Sequence, residues 1–379
     1  MKLENSYVFG TLVQFYETEM LQEHLHSCVK MLDGIENAHT NVTFVFYVSA
    51  DDRFEKIDYD HFKEKYDLKL KLFQDDLGVQ NCIENIIHKF FLDSPYRDCL
   101  KVHVRRLIQN EILSFFETNN IRNCNVQDKY SHEHSHNGNF QNISYFRHYL
   151  CDRFCTEFDY VCWGETDSLW PSQTLVLMEE LDKAVAIKTP KFVANFAGRL
   201  NWDETWRQIA HPLFENIPAL ESMDWVLQNE ASEKSYMTYE RMEEINAQAG
   251  QNVQIQTLNT PKADGSCLII SSQLLLSGAT VPRGIILCGE DEAFLQNAKR
   301  IMGNEFVQYN FKNILRVHNR RHPNKRTGIL NESNPRGFCN AKDKGQWWDD
   351  LEKISKQNLE NLFKQRTMYK ENNVLADLS

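Results

Sequence analysis

The sequence predicts an α/β fold: a mostly parallel, doubly wound sheet with helices on both faces. Three observations lead to it. The first 50 residues alternate strand, helix and strand signals with short joins, which implies a βαβ crossover. Their strand signals are near-continuous apolar runs, as expected of strands covered on both faces. Finally, 42% of the 379 residues are hydrophobic and 12% aromatic. That is enough for a packed core in one large domain or two small ones, and it excludes a disordered or fibrous chain.

The elements follow in order. Tyr7 to Phe15 is β-branched and aromatic with little charge, a buried strand. Glu17 to Leu32 sets Leu21, Leu25, Cys28, Val29 and Leu32 on one helical face. A polar join, Asp33 to Asn41, leads into the strand Val42–Val48, which stops at Ser49-Ala50-Asp51-Asp52. Residues 55–130 read as mixed and mostly helical, with Cys99 to Thr118 the clearest helix, and the polar stretch Asn123 to Asn142 as an exposed loop. A helix from Ser144 to Phe154 precedes a short strand, Tyr160-Val161-Cys162-Trp163, that ends in Gly164-Glu165-Thr166-Asp167. Residues 190–262, rich in Trp, Asn and Glu, read as a segment inserted over the sheet edge. A strand at Cys267–Ile270 and a helix from Glu292 to Met302 follow, and Trp347 to Lys370 forms a charged amphipathic helix. The expected organisation is one large domain over 1–340 that carries 190–262 as an inserted segment, and a helical extension over 341–379.

Ten cysteines show no CxxC pair or zinc-ribbon spacing, so they are expected to be reduced and mostly buried, as in a cytosolic protein. No apolar run reaches the ~18 residues that span a bilayer, and the polar start lacks a secretory apolar region. A cytoplasmic location without membrane contact is therefore expected.

Three groups of residues carry candidate chemistry. Glu165-Thr166-Asp167 closes an apolar strand with two carboxylates one residue apart, at the edge where open α/β sheets bind ligands. Such a pair suits a hard divalent cation that also takes diphosphate oxygens, or equally a solvated strand-end turn. Gly289-Glu290-Asp291-Glu292 turns out of an apolar strand into a helix whose dipole favours acids. It reads as a general base at the sheet mouth or as ordinary acid enrichment at a helix start. From Lys312 to Arg326 there are six basic residues and no acid, in a chain of net charge −11. This run is either a polyanion site or a solvated loop. His132, His134 and His136 alternate in a polar loop, a pattern without fixed ligand geometry.

Taken together and in this order, the segments resemble the GT-A class of nucleotide-sugar glycosyltransferases, a Rossmann-like fold. The resemblance spans roughly residues 6–326. Gln14, Phe15, Tyr16 and Glu17 stand where the class has its donor loop, with Gln14-Phe15 in place of the usual Pro-Thr, and Asp51 or Asp52 stands where a second-strand Asp contacts the nucleotide. Glu165-Thr166-Asp167 is similar to the Asp-x-Asp motif. By that match Asp167 is the direct metal ligand, and Glu165 reaches the ribose, or the metal through water. His318 resembles a late histidine that completes the metal site, and Arg147 is placed like a residue that grips the diphosphate, helped by the 316–326 loop with Arg320 and Lys325. Gly289-Glu290-Asp291 looks like the Glu-Asp motif of inverting members, with Asp291 the preferred base and Glu290 next.

The resemblance implies Mn²⁺ or Mg²⁺ and a nucleoside-diphosphate sugar, a UDP-sugar first, transferred with inversion to an acceptor hydroxyl. The Asn- and Lys-rich, Gly-poor composition looks like that of an AT-rich genome such as those of large tailed phages. Phages of this kind glycosylate hydroxymethylated pyrimidines in double-stranded DNA, and for that acceptor Trp202, Trp206, Trp225, Arg321 and Arg326 would hold the backbone and a flipped base. The chain would then work in the host cytoplasm. A soluble glycan or protein acceptor, a nucleotidyltransferase and a non-catalytic nucleic-acid-binding protein are the alternatives. Oligomeric state is not implied.

Overall fold

The computed structural model describes residues 1–14, 18–50, 79–106, 137–185, 187–199, 210–215, 237–263, 265–282 and 289–319. In chain order the elements are β1 (Tyr7–Gln14), α1 (Thr18–Lys30), a helical turn (Ala38–Asn41), β2 (Val42–Ala50), α2 (Val79–Leu92), β3 (Leu100–Arg106), α3 (Asn137–Phe154), β4 (Tyr160–Glu165), β5 (Ser168–Leu169), α4 (Thr174–Val185), β6 (Val193–Ala197), α5 (Tyr239–Ala247), β7 (Ile255–Leu258), β8 (Cys267–Ser271), α6 (Ser272–Leu276), α7 (Glu290–Met302), β9 (Gln308–Leu315) and β10 (Val317–His318).

Eight strands form one sheet in the order β3-β2-β1-β4-β8-β6-β9-β7, and β5 and β10 make a separate two-stranded ribbon. Strands β3, β2, β1, β4, β6 and β9 point one way, while β8 and β7 run against their neighbours. This is the α/β, mostly parallel architecture expected. The chain leaves β1 towards β2 and β3 on one side and resumes at β4 on the other. The carboxyl ends of β1 and β4 therefore flank a topological switch point, the place where such sheets open a crevice.

Alternation of side chains explains the near-continuous apolar strands. Tyr7, Phe9 and Val13 of β1 join Phe44, Phe46 and Val48 of β2 in a core that buries Leu21 and Leu25 of α1, Ile83, Ile87 and Phe91 of α2, and Leu175 and Met178 of α4. On the opposite face Val8, Leu12, Val45, Val161 and Trp163 pack against Phe146, Leu150 and Phe154 of α3 and Phe294 and Leu295 of α7. Both faces being covered, β1, β2 and β4 are apolar at nearly every position. At the amino edge the buried Glu179 carboxylate accepts the Tyr7 hydroxyl at 2.9 Å and the Glu4 amide at 3.0 Å, tying down the N-terminal segment.

Three expectations are corrected. Leu100–Arg106, expected to begin a helix, is strand β3, paired in parallel with Phe44–Ala50. Here β-branched Val102 and Val104 alternate with Lys101, His103 and Arg105, and the open edge of β2 selects the extended form. Helix α3 begins at Asn137 rather than Ser144, taking the last part of the expected loop. The stretch expected as an insertion over the edge supplies two strands of the sheet itself: β6, buried between β8 and β9, and β7, the edge strand. Val193-Ala194-Asn195-Phe196-Ala197 is a short run within a polar composition, and only its partners reveal it. The segments 107–136, 283–288 and 341–379, with the histidine run and the expected C-terminal helix, lie outside the described residues.

Among the described residues no helix is long and apolar enough to cross a membrane. Cys28, Cys99, Cys151, Cys162 and Cys267 are buried free thiols, and Cys155 is half-buried. Burial, followed by the Asp98 charge, pushes the Cys99 thiol up to about 11, and burial likewise raises Cys28, Cys151 and Cys162. Thiolate is the reactive species. Native labelling with a thiol reagent, mapped by peptide mass spectrometry, should therefore modify Cys155 and leave these five protected until denaturant is added. Rapid native labelling of Cys162 would contradict the packing described.

Candidate functional site

Strand β4 delivers Glu165 to the carboxyl edge of the sheet, level with Leu12 of β1. The chain then turns through Thr166 and Asp167 into β5, and hydrogen bonds hold that turn on every side. The Thr166 hydroxyl donates to the Leu12 carbonyl at 3.0 Å, and the Glu165 amide donates to Ser168 Oγ at 3.0 Å. Ser168 Oγ also lies 2.6 Å from the Glu165 carbonyl and 3.0 Å from the Ser266 carbonyl, and its proton serves these acceptors. From the other side the Asn319 amide donates to the Asp167 carbonyl at 2.6 Å.

The β5–β10 ribbon brings in the third side chain. Antiparallel pairing sets His318 opposite Ser168 and Val317 opposite Leu169. His318 Nε2 consequently lies 2.9 Å from Glu165 Oε2 and 3.4 Å from Asp167 Oδ1. One ligand atom from each of Glu165, Asp167 and His318 falls within 4.8 Å of the others. Two carboxylates and an imidazole are a donor set for a divalent cation such as Mn²⁺ or Mg²⁺, with the imidazole favouring the former.

Burial by itself would raise the Glu165 carboxyl, but His318 and then Arg147 outweigh it and hold it well below the usual carboxylate range. Arg147 comes from α3 and is 2% exposed. Its Nη2 donates to Glu165 Oε1 and, at 2.8 Å, to the Gly265 carbonyl, and its Nη1 donates to Glu290 Oε1. The guanidinium also stacks over the Trp163 ring, 4.9 Å from its centroid. Burial tends to discharge it, yet Glu290, Glu165 and Asp291 together keep it firmly charged.

Helix α7 supplies the remaining acids. Gly289, at φ +80°, makes the left-handed turn into it, a conformation that glycine adopts without strain. Glu290 and Asp291 occupy the first turn, where the helix dipole favours negative charge, and both are buried. Asp291 Oδ1 accepts the Glu292 amide at 2.9 Å.

Beneath the turn, His24 of α1 is fully buried. Its Nδ1 lies 2.6 Å from the Ser168 carbonyl and so carries the proton, leaving Nε2 to accept from the Thr11 hydroxyl at 2.9 Å. Gly164 lies against this pair, since a Cβ there would come within 2.9 Å of Thr11 Oγ1. Above the turn, Asn319 Oδ1 accepts the Met237 amide at 3.0 Å and Arg199 Nη2 at 3.2 Å, and its Nδ2 donates to the Met237 carbonyl at 2.9 Å.

Of the residues singled out from sequence, Glu165, Asp167, His318, Arg147, Glu290 and Asp291 thus meet at one edge. Two of them differ from expectation. Arg147 is turned onto carboxylates beneath the surface rather than outward to a diphosphate, because Glu165 and Glu290 converge on it from two elements. Glu290, expected as the second candidate base, is the counter-ion of that guanidinium. At the start of the basic run, Arg316 after β9 and His318 in β10 are buried, so the solvated-loop alternative does not hold for these two. Gln14 ends β1 opposite Ser49. Tyr16, Glu17, Asp51, Asp52, Trp202, Trp206, Trp225, Arg320, Arg321, Lys325 and Arg326 lie outside the described residues. The supporting residues His24, Thr11, Ser168, Gly265 and Asn319 carry no sequence signal beyond neighbourhood, and only Ser168, one residue past the acid pair, invited inspection.

No protein-family model matches the chain, and no curated protein matches it in sequence. Among solved structures it is similar to S. aureus TarS 1–349 at 12% identity and TM-score 0.35, over 80% of this chain and 60% of that one. A mycobacterial protein aligns at 9% identity and TM-score 0.32, over 83% of this chain and 67% of that one. M. tuberculosis glucosyl-3-phosphoglycerate synthase aligns at 10% and 0.30, over 81% and 71%. This chain therefore spans less than two thirds of the length of the first.

Burial lowers the His24 imidazole to about 4 from its ordinary 6.5, so the folded protein holds it neutral. A depressed histidine contributes stability in full above pH ~6.5 and loses it as pH falls towards 4, about 2 kcal/mol of it between pH 7 and 5. Urea unfolding at pH 7 and 5 should show wild type losing about that much more than His24→Gln, whose amide keeps a donor for the Ser168 carbonyl. Equal losses in the two proteins would show that His24 does not titrate this way.

Proposed function

We propose that this chain is a metal-dependent glycosyltransferase that moves a sugar from a nucleoside-diphosphate donor to an acceptor hydroxyl. The observation that carries the reading is the convergence of Glu165, Asp167 and His318 at the switch point of the sheet, with Asp291, at the start of α7, acting on the Arg147 guanidinium that binds Glu165. Three carboxylates (Glu290, Glu165 and Asp291) act on the Arg147 guanidinium, and Asp167 adds a fourth beside Glu165 and His318. Such a surplus of negative charge at a ligand-binding edge suits a divalent cation better than it suits an unaided anionic substrate.

In this reading Asp167, Glu165 and His318 hold Mn²⁺ or Mg²⁺. When bound, that cation supplies charge neutralisation for the leaving diphosphate. The hydrogen-bonded turn from Glu165 to Ser168 keeps both carboxylates aimed before the donor arrives, so little reorganisation is needed during transfer. Asp291 takes the proton of the acceptor hydroxyl as its oxygen attacks the anomeric carbon, and the single displacement inverts that centre. Glu290, engaged by Arg147, does not take this proton. Tyr16, Glu17, Asp51 and Asp52 would lie on the nucleotide side, with a UDP-sugar as the first donor to try. For the acceptor, the basic run Arg320, Arg321, Lys325 and Arg326 in a chain of net charge −11 supports a polyanion. Double-stranded DNA bearing hydroxymethylated pyrimidine is the acceptor proposed.

A panel of nucleotide sugars with Mn²⁺ should include one that raises the melting temperature by a few degrees, corresponding to about 2.7 kcal/mol at a hundredfold excess over Kd. EDTA or Asp167→Asn should abolish that shift. Asp291→Asn should keep it and lower transfer by about 10²–10⁴-fold. Transfer of radiolabelled sugar to hydroxymethylated DNA, with unmodified DNA and soluble glycans in parallel, identifies the acceptor. Absence of any nucleotide-dependent shift would sink the transferase reading.

A further inference from the structure

Arg147 touches three different pieces of chain: the end of β4 at Glu165, the start of α7 at Glu290 and the carbonyl of Gly265 just before β8. A Cβ on Gly265 would come within 2.5 Å of Arg147 Nη1, so the loop is built to let the fork in. Trp163 closes its flat face. Because Glu165 Oε1 is taken by Arg147, Oε2 is the oxygen turned towards His318 and Asp167. The fork thereby decides which way the Glu165 carboxylate faces.

The geometry points to Arg147 as a positioning residue that, anchored by Glu290 and Gly265, aims Glu165 at the divalent-cation position, so that cation affinity depends on a guanidinium that is not a ligand. This rests on the metal site of the reading above. Charge and geometry act in opposite senses here, which makes the idea testable. By charge alone a buried cation repels a second one, and removing it should tighten metal binding. By geometry, loss of the fork lets Glu165 rotate away and weakens binding. Lysine keeps the charge but offers a single flexible ammonium instead of a planar fork.

Binding of Mn²⁺ alone to the full chain, without nucleotide, can be followed by the paramagnetic resonance signal of the free ion. Arg147→Lys should bind Mn²⁺ about 10–100-fold more weakly than wild type, the usual consequence of losing an outer-shell partner. Arg147→Met should also bind more weakly, despite having one positive charge fewer. Melting curves establish that each variant is folded, and if Arg147→Met does not fold, Arg147→Lys decides. Excess Mn²⁺ should restore sugar transfer in Arg147→Lys but not in Asp167→Asn, a rescue that a merely structural lesion would not show. Wild-type or tighter Mn²⁺ affinity in Arg147→Lys overturns the proposal, as does a wild type that binds no Mn²⁺. If wild type binds Mn²⁺, Arg147→Lys weakens it and no nucleotide sugar is turned over, the transferase reading fails and the role of Arg147 stands.

Discussion

The guanidinium of Arg147, buried between Glu165 and Glu290, is the constraint on which the rest of this edge depends. A charge in that position is tolerable only while its counter-charges and hydrogen bonds are complete. Removing one member of a buried pair typically costs about 3–5 kcal/mol, because the other is left uncompensated. The requirement runs through the architecture: α3 must lie close on the sheet, the loop before β8 must be thin at Gly265, and α7 must begin with an acid. Helix, loop and helix start are thus held to one another through a single side chain.

A second layer of constraint lies under the acid turn. Glu165, Thr166, Asp167 and Ser168 are held by donors and acceptors from β1, β10, the residue before β8 and α1. Holding two carboxylates close together opposes their mutual repulsion, and a turn with few bonds would relax. His24 donates one of these bonds from Nδ1, and while it stays neutral, as its burial secures at ordinary pH, its Nε2 also accepts the Thr11 hydroxyl from β1. Asn319 extends the same framework upward by joining the Asp167 carbonyl, Arg199 and Met237. Movement of the chain on that side would be felt at the acid turn through this one residue, whose side chain holds Met237 and Arg199 and whose backbone N–H holds Asp167.

The sheet order explains why these parts meet. Placing β4 beside β1, with β2 and β3 on the far side, opens the carboxyl edge between them. The antiparallel β8 then returns its start to that edge, bringing Gly265 and Ser266 next to Glu165 and Ser168. Strand β9 ends on the same side and continues into β10, which carries His318. An antiparallel strand in a mostly parallel sheet is here the means by which a loop reaches the site.

Strands β1, β2, β4 and β8 were legible because burial on both faces writes an unbroken apolar run into each. The acid turn and the start of α7 were legible because charged residues directly after such runs mark strand and helix ends. Those features depend on local periodicity, which a sequence displays directly. Strand β3, strand β6 and the earlier start of α3 were not legible. Their local patterns are short or ambiguous, and the hydrogen-bonding partners that select the conformation lie far along the chain. The pairing of Arg147 with Glu290, and of His318 with Glu165, likewise followed only from the tertiary structure. An ion pair depends on distance in space and on the loss of competing water, and neither is encoded in the spacing of the residues that form it.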